Sequence, residues 1–428
     1  MTASSSSPAL SPDQGTPADL PGIADRVRAI MLAGALGDAL TAQPEPAQAP
    51  AAPPEGVSTA AGGQVLGIPS PGAAQDGSPG AGAASGGAAA TIADAAAVSG
   101  PTTLQLQPLR ISADTQLSLY TMDGLLESIE WASAGEAADE TACQWLAQLR
   151  WLRTQDVEWP ESAPSPLPRW IDAHQVLHAD HGHQGQTLEA LLTGSMGLVE
   201  RPVLPEAQDR TAVIRSIPYG LLPVGWRSIA PLSIDAAAIT HGRAEAQTAA
   251  TALALMLQAA QVEGCRGSEE PVRTAAESAL DVLGRLTRPT RGTSELLQAV
   301  LDGRDPDTAA GVAQDADTPQ GQADSGAAGS SAGPDRDTSS RTLAIGLRCA
   351  LEAEQTGASA PELWKTAVAA AQREQGSDAR GSAPLAAALI AAAHGGASLE
   401  AQQIGRLEAR EVIEEACQRW VQLLGLTG

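Results

Sequence analysis

The amino-acid sequence predicts an all-α protein, and three observations lead to that prediction. Apolar residues recur at helical spacing in most segments outside two low-complexity stretches. No segment shows the alternation of apolar and polar residues that indicates a half-buried β-strand. The 428 residues include only 2% aromatics and no Phe, so small aliphatic side chains must build the core. Such a composition favours closely packed helices, and we expect a compact multi-helix bundle.

The predicted helices follow one another along the chain. The first begins near Pro21, where Ile23, Val27 and Ile30 share one helical face. Prolines between 160 and 168 indicate a loop. Further helices are predicted over 111–131, over 142–152, from about 187, over 236–260, over 275–286 and almost continuously over 341–426.

Low-complexity segments interrupt this pattern. Residues 1–20 are rich in Ser and Pro, and we predict a disordered tail. Residues 46–103 and 302–339 consist largely of Ala, Gly, Pro, Ser and Asp. Such segments bury too little apolar surface to offset the entropy lost on ordering. We therefore predict two disordered inserts within a single domain that spans 21–428.

Charge and composition exclude several functional classes. The formal net charge of −24 disfavours binding to nucleic-acid phosphates. The N-terminus lacks the apolar stretch of a signal peptide, and no segment approaches the roughly 20 apolar residues of a membrane span. Cys143, Cys265, Cys349 and Cys417 form no close pair, which favours reduced thiols. We expect a cytoplasmic protein without nucleic-acid or membrane partners.

Three short polar motifs could carry chemistry, although each also has a purely structural interpretation. Gly34 and Gly37 are three residues apart on a helix, a spacing that usually indicates close helix packing. The motif over 112–116, SADTQ, stands at a predicted helix start, where Ser and Asp are ordinary N-caps. The Gly-rich motif over 376–382, GSDARGS, precedes a long apolar run. The order of the three motifs is more specific than any one of them.

Taken in order, these motifs resemble the ADP-ribosylglycohydrolase family, which includes the dinitrogenase reductase-activating glycohydrolase and the ADP-ribosylarginine hydrolases. GALGDALT over 34–41 is similar to the family's G-x-x-x-G-D-A-x-G, and SADTQ to its [ST]-D-D-T-Q. Further matches are RWL over 150–152, GSMG over 194–197, VIRSIPYGL over 213–221, THG over 240–242 and LEAR over 407–410. The resemblance covers the chain apart from its tail and inserts.

The resemblance implies a central cleft that holds two Mg²⁺ or Mn²⁺ ions, which prefer oxygen ligands. The implied reaction is hydrolysis of the glycosidic bond between ADP-ribose and a protein side chain or small acceptor. Glu45 stands at the place of the family's catalytic acid. The implied metal ligands are Ser112, Asp114, Asp378 and Ser382, and the implied substrate-binding residues are Gly194, Met196, Gly197 and His241.

Two substitutions depart from the family pattern. Ala113 stands where the first motif has a second carboxylate. The last motif should read G-D-[ST]-D-[ST]-T, and alignment without gaps places Asp378 at the first acid, Arg380 at the second and Ser382 at the final hydroxyl. A shift by two residues places Asp378 at the second acid instead, and Arg380 then replaces a hydroxyl. In either register at least two metal ligands are lost, and Arg cannot ligate a cation.

These losses leave three functions open. The chain is a hydrolase of ADP-ribosylated substrates whose activity is weakened or lost, or a non-catalytic protein that binds ADP-ribose or a protein partner. A third alternative is a vestigial cleft with acidic inserts that mediate association. A separate metal site could involve His174, His178, His181 and His183, but their position after a proline-rich loop favours an ordinary surface segment.

Overall fold

The structure is a computed structural model that describes residues 22–42, 107–306, 308 and 338–426, apart from 180, 183, 184, 288, 289, 375, 397 and 398. The described residues belong to one compact unit. The predicted tail, the insert over 46–103 and most of the insert over 302–339 lie outside the described residues. The single-domain organisation with two inserts therefore stays a prediction.

The unit is built from α-helices, and the described residues contain no β-strand, only isolated bridges between Leu109 and Leu407 and between Leu198 and Arg201. The all-α prediction is confirmed. Short 3-10 helices cover Trp170–Ala173, Gln175–Leu177 and Ile217–Leu221. The α-helices are α1 Ile23–Thr41, α2 Ala113–Ser133, α3 Glu140–Thr154, α4 Gly185–Leu192, α5 Thr211–Ile214, α6 Trp226–Ala238, α7 Ala244–Gln261, α8 Glu263–Arg266, α9 Pro271–Leu283, α10 Arg291–Leu301, α11 Ser339–Gln355, α12 Ala360–Gln372, α13 Ser377–His394, α14 Ala401–Arg406 and α15 Arg410–Leu423.

Helix α13 lies at the centre of the fold. Its sequence over 383–393, APLAAALIAAA, is apolar on all sides, and every Ala, Leu and Ile there is at most 4% exposed. A helix that is apolar all round needs neighbours on every face, and α1, α11 and α12 pack against it. The small side chains allow close approach, since a Cβ added at Gly346 of α11 would lie 2.9 Å from the Leu385 Cβ.

The two-glycine motif of α1 contains one crossing point. A Cβ at Gly37 would lie 2.6 Å from the backbone O of Ala383, whereas one at Gly34 would make ordinary contacts, 3.4 Å to the Ile217 side chain and 3.8 Å to the backbone O of Pro384. Gly37 therefore sets the distance between α1 and α13. Asp38 is the next residue of α1, so its position depends on that distance.

One predicted helix is wrong. The helix expected over 236–260 is two helices, α6 and α7, separated by a turn at Thr240–Gly242. Gly242 donates its backbone N–H to the O of Leu204 at 3.1 Å, and a Cβ there would lie 2.5 Å from the same atom. This long-range contact fixes the turn, and helical periodicity alone cannot reveal it.

Other elements agree with or add to the prediction. The proline-rich segment over 160–168 contains no α-helix. All four cysteines are free and buried, as expected. Helix α10 was not predicted, because its short apolar stripe stands directly before a low-complexity segment. None of the described helices combines the length and the apolarity that a membrane span requires.

Candidate functional site

The first part of the candidate site joins the end of α1 to the start of α2. The Asp38 carboxylate accepts hydrogen bonds from the Ser112 backbone N–H at 2.8 Å and from the Thr115 hydroxyl at 2.5 Å. Ser112 is the N-cap of α2, and its hydroxyl accepts from the Asp114 N–H at 3.1 Å. Asp38 is 1% exposed, and its burial raises its pKa against the effect of these hydrogen bonds. The capping interpretation of Ser112 is confirmed.

A buried ion pair lies next to this junction. The Nε of Arg210 donates to the Oδ2 of Asp114 at 3.1 Å, and the two side chains are 2% and 1% exposed. The Arg210 charge also acts on Asp38 and lowers its pKa, although less than burial raises it. Asp114, one of the residues that the resemblance assigns to a metal ion, thus has a guanidinium as its neighbour.

The Gly-rich motif over 376–382 lies at the start of α13. The Oδ2 of Asp378 accepts a hydrogen bond from Arg341 of α11 at 2.9 Å. The Ser382 hydroxyl donates to the backbone O of Asp378 at 2.6 Å, within the same helix. A Cβ at Gly381 would lie 2.7 Å from the Cδ of Arg210. Asp114 and Asp378 are therefore on the same side of the molecule, with Arg210 packed between their two segments.

The chain segment that carries Arg210 is held on several sides. Its neighbour Asp209 accepts at Oδ2 from the Gln186 N–H at 2.7 Å and at Oδ1 from the Thr211 hydroxyl at 2.6 Å. The Gln186 Oε1 in turn accepts from the Asp209 N–H at 2.9 Å. Ser339, at the start of α11, donates its hydroxyl to the Asp209 backbone O. Arg210 thus projects from a rigid backbone that also adjoins Arg341.

His241 completes this polar network. Its Nε2 lies 3.0 Å from the Oδ1 of Asp209, and its Nδ1 lies 2.8 Å from the hydroxyl of Thr240. The ring is fully buried, and burial lowers the pKa of His241. Burial would raise the pKa of Asp209, but the hydrogen bonds from His241, Thr211 and Gln186 outweigh it and hold the pKa well below its usual range. His241 therefore affects the site indirectly, because its partner Asp209 directly precedes Arg210 in the chain.

The GSMG segment lies beside the same network. Gly197 donates its N–H to the backbone O of Ile239 at 3.1 Å, two residues before His241, and a Cβ at Gly197 would meet that atom at 2.5 Å. Gly194 has a φ of 67°, a conformation that favours glycine. Met196 is half-buried. Whether these residues contact a substrate stays a prediction.

The remaining assigned residues have different positions. Glu45 lies outside the described residues. Ala113 is fully buried as the first residue of α2, so the carboxylate missing there is replaced by a methyl group. Arg380 is exposed on α13. The arginines that contact the candidate ligand acids Asp114 and Asp378 are Arg210 and Arg341.

The histidine-rich segment binds other parts of the protein. The Nε2 of His174 lies 3.1 Å from the Oε2 of Glu415, and the Nε2 of His178 lies 2.8 Å from the backbone O of Asp172. His181 contacts the backbone O of Ile111 at 2.9 Å. His183 lies outside the described residues. These contacts agree with the structural interpretation of the segment.

The residues present do not fit a dinuclear metal centre. The two candidate carboxylates each have a guanidinium within 3.1 Å. Within the described part of the chain, no group of three or more His, Cys, Asp or Glu side chains is arranged to hold a metal ion. A guanidinium in contact with a carboxylate competes directly with a cation for that oxygen.

Sequence reasoning missed the two arginines and Asp209. Arg210 stands three residues before the VIRSIPYGL motif, and Arg341 follows the second insert. Neither belongs to a motif that the resemblance contains. The available signal was the loss of carboxylates at Ala113 and Arg380, because a site that loses its metal ligands needs another partner for the acids that remain.

A comparison with known proteins agrees with the all-α fold. A family model described as ADP-ribosylglycohydrolase matches residues 19–428. No individual curated protein matches the sequence. The match to the family model covers nearly the whole chain, including the three polar motifs and the helices that position them. The chain therefore belongs to the ADP-ribosylglycohydrolase family.

Proposed function

We propose that this protein binds ADP-ribosyl groups in the cleft between α1, α2 and α13 and that its metal-dependent hydrolytic activity is weak or lost. Family membership implies ADP-ribosylated substrates in general. The observation that carries the proposal is the pairing of both candidate metal-ligand carboxylates with arginines, Asp114 with Arg210 and Asp378 with Arg341. The ligand is an ADP-ribosylated protein or a small molecule of the ADP-ribose type.

Charge and geometry at Asp114 both oppose the binding of Mg²⁺. Mg²⁺ is bound through anionic oxygen ligands in a strict octahedral arrangement. Asp114 would have to exchange the 3.1 Å contact with Arg210 for a metal ion, which would leave a buried guanidinium beside a divalent charge. Breaking a buried pair in this way costs about 3–5 kcal/mol. That cost lowers the affinity for the metal by a factor of roughly 100 or more.

The test combines calorimetry with a hydrolysis assay on the full chain. ADP-ribose is titrated into the protein once with EDTA and once with Mg²⁺, and the release of ADP-ribose from ADP-ribosyl-arginine is followed under both conditions. We expect the same affinity for ADP-ribose with and without Mg²⁺ and no turnover that depends on Mg²⁺. Absence of ADP-ribose binding, or turnover that needs Mg²⁺, would contradict the proposal.

A second candidate function is a weakened hydrolase. The observation in its favour is the junction between Asp38, Ser112 and Thr115, which keeps oxygen atoms in a buried position next to Asp114. Mg²⁺ or Mn²⁺ would be its cofactor, and Glu45 its catalytic acid. Slow turnover that is abolished by EDTA and by Glu45→Gln would favour this alternative. A cytoplasmic location is part of both proposals.

A further inference from the structure

We propose that the guanidinium of Arg210 is a built-in cation that replaces a divalent metal ion at the centre of this cleft, in space that Gly381 leaves open. The inference rests on the proposed function for its ligand, since it makes binding of the ADP-ribosyl group independent of metal.

The charges around Asp38 and Asp114 favour Arg210 as the resident cation. Asp38 and Asp114 are each 1% exposed, and buried carboxylates require a nearby positive charge or hydrogen-bond donors. Asp38 has two donors at the start of α2. Asp114 has the Arg210 guanidinium, whose single positive charge is fixed at any ordinary pH. Ala113 removes the second carboxylate of the motif, and Asp38 is compensated by its two hydrogen bonds, so the single charge of Arg210 compensates Asp114.

The absence of a side chain at Gly381 leaves space for Arg210. A Cβ at Gly381 would lie 2.7 Å from the Cδ of Arg210 and 2.6 Å from the Cγ2 of Thr342. The Cδ is in the middle of the arginine side chain, so it cannot move aside without moving the guanidinium. In the alignment without gaps, Gly381 stands where the family motif has Ser or Thr. The side chain of Arg210 thus passes through volume that a hydroxyl-bearing side chain would occupy.

Several hydrogen bonds hold the backbone that carries Arg210. A resident cation must stay in place, and the Asp209 network holds the backbone of Arg210 through Gln186, Thr211 and His241. The N-terminus of α11 adds the bond from Ser339 to the Asp209 backbone O. Arg341, two residues further on, pairs with Asp378 at 2.9 Å. Each of the two candidate metal-ligand acids therefore has its own guanidinium.

The experiment measures Mn²⁺ binding to the full chain by calorimetry and by the paramagnetic resonance signal of free Mn²⁺. The wild-type protein is compared with Arg210→Gln, which removes the charge but keeps donor groups. Arg243→Gln is the matched control, because Arg243 forms an exposed pair with Glu206. We expect no stoichiometric Mn²⁺ binding by the wild type or the control, and at least tenfold tighter binding by Arg210→Gln. Asp114→Asn added to Arg210→Gln should abolish the gain.

The thermal midpoint of each variant is measured on the same samples to test its folding. If Arg210→Gln unfolds without metal, Mn²⁺ should raise its thermal midpoint while leaving that of the control unchanged. Tight Mn²⁺ binding by the wild type would overturn the inference, and so would the absence of both a binding gain and a rescue in Arg210→Gln. ADP-ribose binding in EDTA is scored separately: its absence in the wild type refutes the proposed function, whereas a Mn²⁺ gain in Arg210→Gln still supports the built-in cation.

Discussion

Gly37 gives the sharpest test of how the fold positions the site. In Gly37→Ala the new Cβ would lie 2.6 Å from the O, 2.8 Å from the C of Ala383 and 2.9 Å from the Cα of Pro384. All three are backbone atoms of α13, so no side-chain rotation relieves the overlap. Raising the 2.6 Å contact to 3.4 Å, where ordinary contact begins, requires α1 and α13 to separate by 0.8 Å along that direction.

Gly34→Ala is the matched control on the same helix. Its Cβ would meet the Cδ1 of Ile217 at 3.4 Å, which is ordinary contact with a side chain. Both substitutions gain about 1 kcal/mol of helix propensity. Only Gly37→Ala pays for overpacking, typically about 1–3 kcal/mol and occasionally more. We therefore expect Gly37→Ala to be less stable than Gly34→Ala by about 1–3 kcal/mol.

Urea unfolding of the full chain, followed by far-UV circular dichroism, measures the free energy of unfolding of both variants. ADP-ribose calorimetry on the same samples tests the site, because Asp38 follows Gly37 and must move with α1. We expect weaker ADP-ribose binding in Gly37→Ala and unchanged binding in Gly34→Ala. Equal stability of the two variants within about 0.5 kcal/mol would refute the reasoning that backbone contact at Gly37 sets the helix distance.

Three further predictions follow from buried charges. The first is a double-mutant cycle measured by urea unfolding. Asp114→Asn and Arg210→Met should each lower the free energy of unfolding by about 3–5 kcal/mol, and the double variant should lose clearly less than the sum. Simple additivity would show that the two side chains do not interact. Because the folded-state pKa of His241 is lowered, its contribution is fully present above the ordinary histidine pKa of about 6.5 and is lost as pH falls below it. The thermal midpoint should therefore drop between pH 7.5 and 5.5, and His241→Gln should flatten that slope; an unchanged slope would exclude His241 as its source. Arg169→Met should cost about 1.5–3 kcal/mol in urea unfolding, because Arg169 donates to the fully buried Asp123 at 2.8 Å and 3.0 Å, while Arg150 stays 3.3 Å from the same carboxylate; a loss below about 1 kcal/mol would show that the contact is worth no more than a surface pair.

The buried polar groups show where sequence reasoning succeeded and where it stopped. Ser112 was expected to cap α2, and it does, because an N-cap depends only on local backbone geometry. Arg380 stands at a ligand position of the family motif, but it is exposed, and Arg341 contacts Asp378 instead. Its motif lies on a helix, where the direction of each side chain depends on rotation about the helix axis, and the packing against α1 and α11 fixes that rotation.

By itself, the sequence determined the all-α class, the approximate positions of most helices and the family, because helical periodicity and the order of short motifs are local or one-dimensional properties. It also revealed the missing carboxylate at Ala113. Only the tertiary structure decided the break at Thr240–Gly242 and the partners of the remaining acids. Arg210 is 96 residues from Asp114 and Arg341 is 37 from Asp378. Such pairs form because burial forces each charge to find an opposite one in space, and sequence separation does not constrain which one it finds.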